Sequence, residues 1–280
     1  MEPRVFTALA FVIGSLVGSF LNVVIHRLPR GESVVSPGSR CPACGKAIRP
    51  WHNVPVLGWL WLRGRCRDCG LPISARYPLV ELTTALLFAL LAQRFGPSPL
   101  AWMWMGFAAA LFAAAAIDAD HRIIPDEISL GGLALGLTLA PALQVWSGAD
   151  ARAAWLHAGS GALLGGGLLW IVGFAHARLC AAMGRRFEHW PGDDDAFPRP
   201  GSLDYWTWFP GMGFGDVKLL AMIGAFLGPL GVVQTIVAAS AIGLVFGIAW
   251  IVARRGAATP FGFGPMLAMG AVVTLLYPMF

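Results

Sequence analysis

The strongest constraint on this chain is its alternation of long apolar runs with charged connections. Runs can be read at residues 5–25, 79–95, 100–118, 127–146, 155–177, 217–231, 233–252 and 261–279. Each is close to the roughly 20 residues that carry an α-helix across a bilayer. The pattern predicts an all-α polytopic membrane protein of about eight transmembrane helices. Composition supports this, with 57% hydrophobic and 12% charged residues where ordinary soluble domains carry about 25% charge. A soluble enzyme is therefore disfavoured. The apolar content excludes disorder, and five cysteines in 280 residues exclude a disulfide-stapled secreted fold.

The sixth and seventh runs are separated only by Gly228-Pro229-Leu230-Gly231, so a re-entrant pair and one broken helix both remain open. The first run has its positive charges (Arg27, Arg30) after the apolar stretch and no A-x-A cleavage site, which predicts an uncleaved signal anchor. With the N-terminus periplasmic, the cytosolic loops are 26–78, 119–126, 178–216 and 253–260. All of the 20 Lys and Arg except Arg4, Arg94 and Arg152 fall in these loops or within two residues of their ends. The positive-inside rule thus selects an inner-membrane topology with both termini periplasmic. It also explains the +5 net charge without a nucleic-acid partner. Three parts follow: a first span at 1–25, a cytosolic module at 26–78, and a seven-span core at 79–280 with a loop at 178–216. The 35 glycines, many inside spans, suit close helix packing.

The first loop carries Cys41-Pro42-Ala43-Cys44-Gly45 and Cys66-Arg67-Asp68-Cys69-Gly70. Two C-x-x-C pairs, each followed by Gly, are the knuckles of a zinc ribbon. Disulfides are the alternative, but the charge distribution places the loop in the reducing cytosol. Cys41, Cys44, Cys66 and Cys69 are therefore read as ligands of one structural zinc ion, which leaves no open coordination position. Cys180 reads as packing, and His52, between the knuckles, is not made a ligand.

Asp118 and Asp216 each stand where an apolar helix meets the cytosolic interface, Asp118 in Ile117-Asp118-Ala119-Asp120-His121 and Asp216 at the end of Gly211-Met212-Gly213-Phe214-Gly215-Asp216. Ionisable residues at the bilayer are costly and are functional candidates by default. Two carboxylates a few Å apart cannot both ionise, so one keeps a proton as acid while the other acts as base on a shared water. That chemistry hydrolyses a peptide bond without metal. The glycines let an extended substrate approach the backbone; their spacing is not that of a dinucleotide fingerprint. Asp126, after Pro125, reads as the N-cap of the fourth span. Asp120, His121 and Arg122 read as a solvated turn. Glu81, inside an apolar stretch, is either a contact to the cytosolic module's basic residues or functional.

These residues together resemble the bacterial type IV prepilin peptidases (leader peptidases/N-methyltransferases) over nearly the whole chain. The matching segments begin with Gly18-Ser19-Phe20-Leu21-Asn22-Val23-Val24-Ile25-His26-Arg27-Leu28-Pro29. They continue through the first Cys pair, Ile48-Arg49-Pro50-Trp51, Arg76-Tyr77-Pro78-Leu79-Val80-Glu81, both aspartate motifs and Pro260-Phe261-Gly262. The resemblance implies an intramembrane aspartic protease with Asp118 and Asp216 catalytic. It implies cleavage of the basic leader of prepilins or pseudopilins after Gly at the cytosolic face, then methylation of the new N-terminus with S-adenosylmethionine. Gly64 and Arg65 match a glycine and basic residue linked to methylation in that family.

One stretch departs from the family. Residues 181–210, with Asp193-Asp194-Asp195 and Trp190, Trp206 and Trp208, exceed the expected loop length. The tryptophans suit an interfacial belt, and the acidic run suits solvent or a basic leader. A proton-coupled transporter also uses membrane carboxylates and glycine-broken helices, and an assembly scaffold could use the zinc module to bind a partner. The transporter gives the thiol module no task.

Overall fold

The computed structural model describes residues 2–185, 199–209, 212–254 and 262–279. Among these the chain is helical, with α1 Pro3–Arg27, α2 Leu57–Trp61, α3 Arg76–Phe95, α4 Pro99–His121, α5 Asp126–Trp146, α6 Ala151–Ala182, α7 Leu203–Thr207, α8 Phe214–Arg254 and α9 Gly264–Leu276. Paired backbone outside helices is limited to the isolated bridges Arg40–Ala47, Arg65–Pro72 and Phe209–Met212. The all-α membrane architecture expected from the apolar runs is therefore present.

Six of these helices are long and apolar enough to cross a membrane, and α9 is apolar but only 13 residues long. The sixth and seventh runs form one 41-residue element, α8, broken at Gly228 (φ 70°, ψ −178°). The sequence between them causes the break: Pro229 removes an amide and disfavours helical backbone before it, and Gly228 takes the left-handed φ at little cost. The His157 ring fills the space beside the break, where a Cβ on Gly228 would lie 2.0 Å from it.

The chain divides into two compact units, Met1–Ile117 and Asp118–Phe280. In the first, α1 and α3 pack antiparallel through small residues. A Cβ on Gly18 would stand 2.7 Å from the Glu81 Cα, and one on Gly14 2.8 Å from the Phe88 Cβ. Asn22 donates to the Tyr77 carbonyl at 3.1 Å, which ties the two helices at one end. The opposite edge of α1 (Leu16, Phe20) remains exposed.

In the second unit α8 is the central element, packed by α5, α6 and α9. The α6–α8 contact brings backbones together: a Cβ on Gly161 would meet the Gly224 carbonyl at 2.0 Å, and one on Gly165 the Leu220 carbonyl at 2.3 Å. No flexible side chain is there to yield. Gly161→Leu is thus expected to destabilise the protein by about 1–3 kcal/mol or more, visible as a lower midpoint of thermal unfolding in detergent. An unchanged midpoint would disprove the close α6–α8 contact. On α9, Gly270 allows a similar approach to the Thr235 carbonyl. Gln234 ties α8 to the segment after α9, donating to the Tyr277 carbonyl (2.6 Å) and accepting from the Met279 amide (3.0 Å).

Candidate active site and metal centre

Each cysteine pair folds into the same short turn. Gly45 (φ 69°) donates its amide to the Cys41 carbonyl, and Gly70 (φ 72°) donates to the Cys66 carbonyl, both at 2.9 Å. Each loop closes when the first cysteine's amide reaches the Lys46 carbonyl (3.0 Å) or the Leu71 carbonyl (2.8 Å). The left-handed glycine is what lets the turn reverse over so few residues. The four Sγ atoms of Cys41, Cys44, Cys66 and Cys69 lie within 4.8 Å of one another, and Cys41 and Cys69 are 3.8 Å apart. A tetrahedral ion with thiolates at about 2.3 Å has sulfur–sulfur edges of roughly 3.8 Å, so the cluster has the size of a metal site. The thiols behave as one crowded group. Backbone amides of Cys44 and Ala43 bring Cys41 down to about 6. Cys69 is pushed up to about 11, against the Leu71 amide, by desolvation and the neighbouring sulfurs. Lys46 and Asp68 join the two knuckles by an ion pair at 3.3 Å.

The rest of the module is held by Trp59 and Glu81. Trp59 donates its indole N–H to the Ile73 carbonyl at 3.0 Å, and its ring covers Gly64 (φ 66°), where a Cβ would lie 2.8 Å from the ring. Arg65 beside it is exposed. Glu81, 8% exposed on α3, accepts the amide of Val56 at 2.7 Å and a hydrogen bond from the Ser19 side chain. Its partner in the module is thus backbone rather than a basic side chain, and Val56 holds an unusual positive φ of 61°. Cys180 is buried on α6, its sulfur 3.4 Å from the His176 Nε2, as a packing role requires.

Both aspartates lie in the second unit. Asp118 ends α4 and is 6% exposed; Asp216 sits in the first turn of α8 and is 7% exposed. They are near enough for their charges to repel. Asp216 donates its amide to the Gly213 carbonyl at 3.1 Å, so the glycine motif makes the opening turn of α8. Asp118 faces the backbone at the start of α9. The Gly264 amide points at its carboxylate, and a Cβ on Gly262 or Gly264 would lie 2.2 or 2.7 Å from its Oδ2. That oxygen is buried and has no hydrogen-bond partner among the described residues. Ile124 joins the two sides: Cβ atoms on Gly215 and Gly264 would each come within 3.1 Å of it. Two helix N-termini directed at two buried carboxylates offset part of the cost of burying them.

Gly264 escaped the sequence reading, although the spacing Gly262-Phe263-Gly264 repeats the small-x-small pattern of the motif before Asp216. Gly211, Pro260 and Phe261 lie outside the described residues, as do Trp190 and Asp193–Asp195. Asp126 is not a cap. Pro125 occupies that position and no side chain caps the helix; the Asp126 carboxylate pairs instead with the Lys218 ammonium, a full charge that outcompetes backbone amides. Asp120, His121 and Arg122 are exposed, with Arg122 (φ 57°) turning the chain out of α4.

A second feature missed from sequence joins α6 to α7. Trp170, Phe174 and Arg178 are four residues apart on α6, one helical face. Arg178 lies between the rings of Phe174 (4.1 Å) and Tyr205 (3.8 Å), and Trp206 stacks on Phe174 at 5.4 Å. Trp206 is therefore part of an intramolecular stack that seats α7. Phe209 and Met212 continue the contact by packing on Gly173.

The family model described as "Type IV leader peptidase family" matches residues 105–248, and "Bacterial Peptidase A24 N-terminal domain" matches residues 12–95. A Burkholderia pseudomallei (strain 1026b) protein named prepilin leader peptidase/N-methyltransferase is 37% identical over 96% of this chain and 85% of its own length. A Stutzerimonas stutzeri protein of the same name is 36% identical, covering 99% and 92%. The type 4 prepilin-like proteins leader peptide-processing enzyme of Escherichia coli O78:H11 is 35% identical, covering 98% and 94%. No solved structure matches the chain.

Proposed function

The chain belongs to the type IV leader peptidase family, and from that premise we propose that it removes the leader of prepilins or pseudopilins and then N-methylates the shortened protein. The observation that carries the reading is the pair of buried carboxylates, Asp118 and Asp216, set against glycine backbone at the starts of α8 and α9. Like charges at close range favour a state in which the pair holds one proton. The charged aspartate takes a proton from water as it attacks the scissile carbonyl. The protonated one donates to the carbonyl oxygen, and a proton then passes to the departing amine. The bare backbone at Gly213, Gly215 and Gly262 gives room for an extended peptide beside both groups.

Zinc fits the four-thiol cluster by size and by the donor set, and its task is structural. Cys41, Cys44, Cys66 and Cys69 fill a tetrahedron and fold the 26–78 module, with the 79–280 core carrying the peptidase. S-adenosylmethionine supplies an electrophilic methyl group for the second reaction. Gly64 and Arg65 act on methylation through this module, where Gly64 receives the Trp59 ring. The protein is a multi-pass inner-membrane enzyme with periplasmic termini and its scissile site at the cytosolic face, where the substrate's leader and first apolar segment meet.

Incubation of the purified protein with a synthetic prepilin peptide and S-adenosylmethionine, followed by mass spectrometry, tests this directly. The expected product is shortened after Gly and carries one added methyl group. An intact peptide would overturn the assignment.

A further inference from the structure

We propose that the methyl donor binds in a cleft of about 300 Å³ in the first unit, lined by Ser19, Phe20, Val23 and Arg27 of α1 with Val35 and Asn53 of the following loop. The inference rests on the methylation reading above and assigns it a place. The volume is at the lower end of small-molecule pockets.

The cleft follows from how α1 is used. Phe6, Ala10, Gly14, Gly18, Leu21 and Ile25 are its buried positions, with Gly14 and Gly18 set against α3, which leaves Ser19, Val23 and Arg27, four residues apart, as a separate stripe. The loop after α1 folds back over this stripe. Arg27 is fixed there by donation to the Ser33 carbonyl at 3.0 Å.

The lining matches the parts of S-adenosylmethionine. That molecule has an α-amino carboxylate, a positively charged sulfonium and a flat adenine. The Arg27 guanidinium has donors left for the carboxylate, in the geometry that makes arginine a preferred partner for such groups. Phe20, Val23 and Val35 give apolar surface to the adenine. Ser19 leads to Glu81, whose carboxylate is also held by the Val56 amide next to Pro55 of the cleft wall. Gly64 and Arg65 do not line the cleft, so their link to methylation is indirect.

The test uses the full-length protein in detergent with tritiated S-adenosylmethionine. Ultraviolet cross-linking should place the label in peptides carrying residues 16–27 or 34–39. Label confined to residues 60–70 or to the unit from Asp118 onward would overturn the proposal. Calorimetric titration with the donor supplies a second measure. Arg27→Gln should weaken binding roughly ten- to a hundredfold, as loss of a charge-assisted contact does, and Arg27→Lys should restore part of it. Ser19→Trp should fill the cleft and abolish binding, with zinc content and gel-filtration elution reporting that the variant is folded. If the wild-type protein adds no methyl group, the methylation reading itself fails. If wild type and Ser19→Trp bind and methylate alike, only the cleft assignment does.

Discussion

Replacing Asp216 or Asp118 by Asn is expected to slow prepilin cleavage by roughly 10³-fold or more, since in the proposed mechanism it removes one partner of an acid–base pair acting on a single water. Asparagine keeps the size of the side chain, so membrane insertion, zinc content and thermal midpoint should stay near wild type. Asp118 and Asp216 are 6% and 7% exposed, and a neutral amide there carries no desolvation cost for charge. Asp120→Asn, at an exposed neighbouring position, should cleave within about twofold of wild type, because surface substitutions away from a site are usually mild. The measurement is initial rate on a prepilin peptide by mass spectrometry. An Asp216→Asn protein that cleaves at the wild-type rate would falsify the dyad.

The second large effect concerns the thiol cluster. Cys66→Ser should reduce bound zinc from one ion per chain to nearly none, because three thiolates and a hydroxyl make a poorer site and metal binding is coupled to folding of the module. Methyl transfer should then fall by roughly tenfold or more while cleavage falls by less than about threefold. The physical ground is that the four sulfurs all belong to the first unit and both aspartates to the second. Metal analysis and product mass spectra on one preparation give both readouts. Equal loss of the two activities would show that the units are not separable in function.

Some of this was legible because it depends on local chemistry. The two C-x-x-C-Gly turns fold through bonds spanning only a few residues, so their spacing announces the four-sulfur cluster before any fold is known. Apolar length announces the helices for the same reason. The break in α8 was visible as Gly228-Pro229, yet its outcome, one kinked element against two separate spans, was not. That depends on what packs beside it, here the His157 ring. Asp126 shows how a local rule loses to a distant partner: a capping position after proline is sound, but Lys218, far along the chain, offers a full charge. The aromatic stack around Arg178 was hidden because its members come from α6 and from α7, and only their i, i+4 spacing on α6 gave a hint.

By itself the sequence determined that this is a helical membrane protein, which four sulfurs come together in a cluster of metal-site size, and which two aspartates stand at apolar helix ends. Those properties follow from composition, from short-range turns and from the cost of charge near lipid. Tertiary structure decided what surrounds the aspartates. The Gly264 amide and the bare backbone at Gly262 reach Asp118 from far along the chain, and Ile124 lies against both Gly215, beside Asp216, and Gly264; only helix packing can bring such distant segments together.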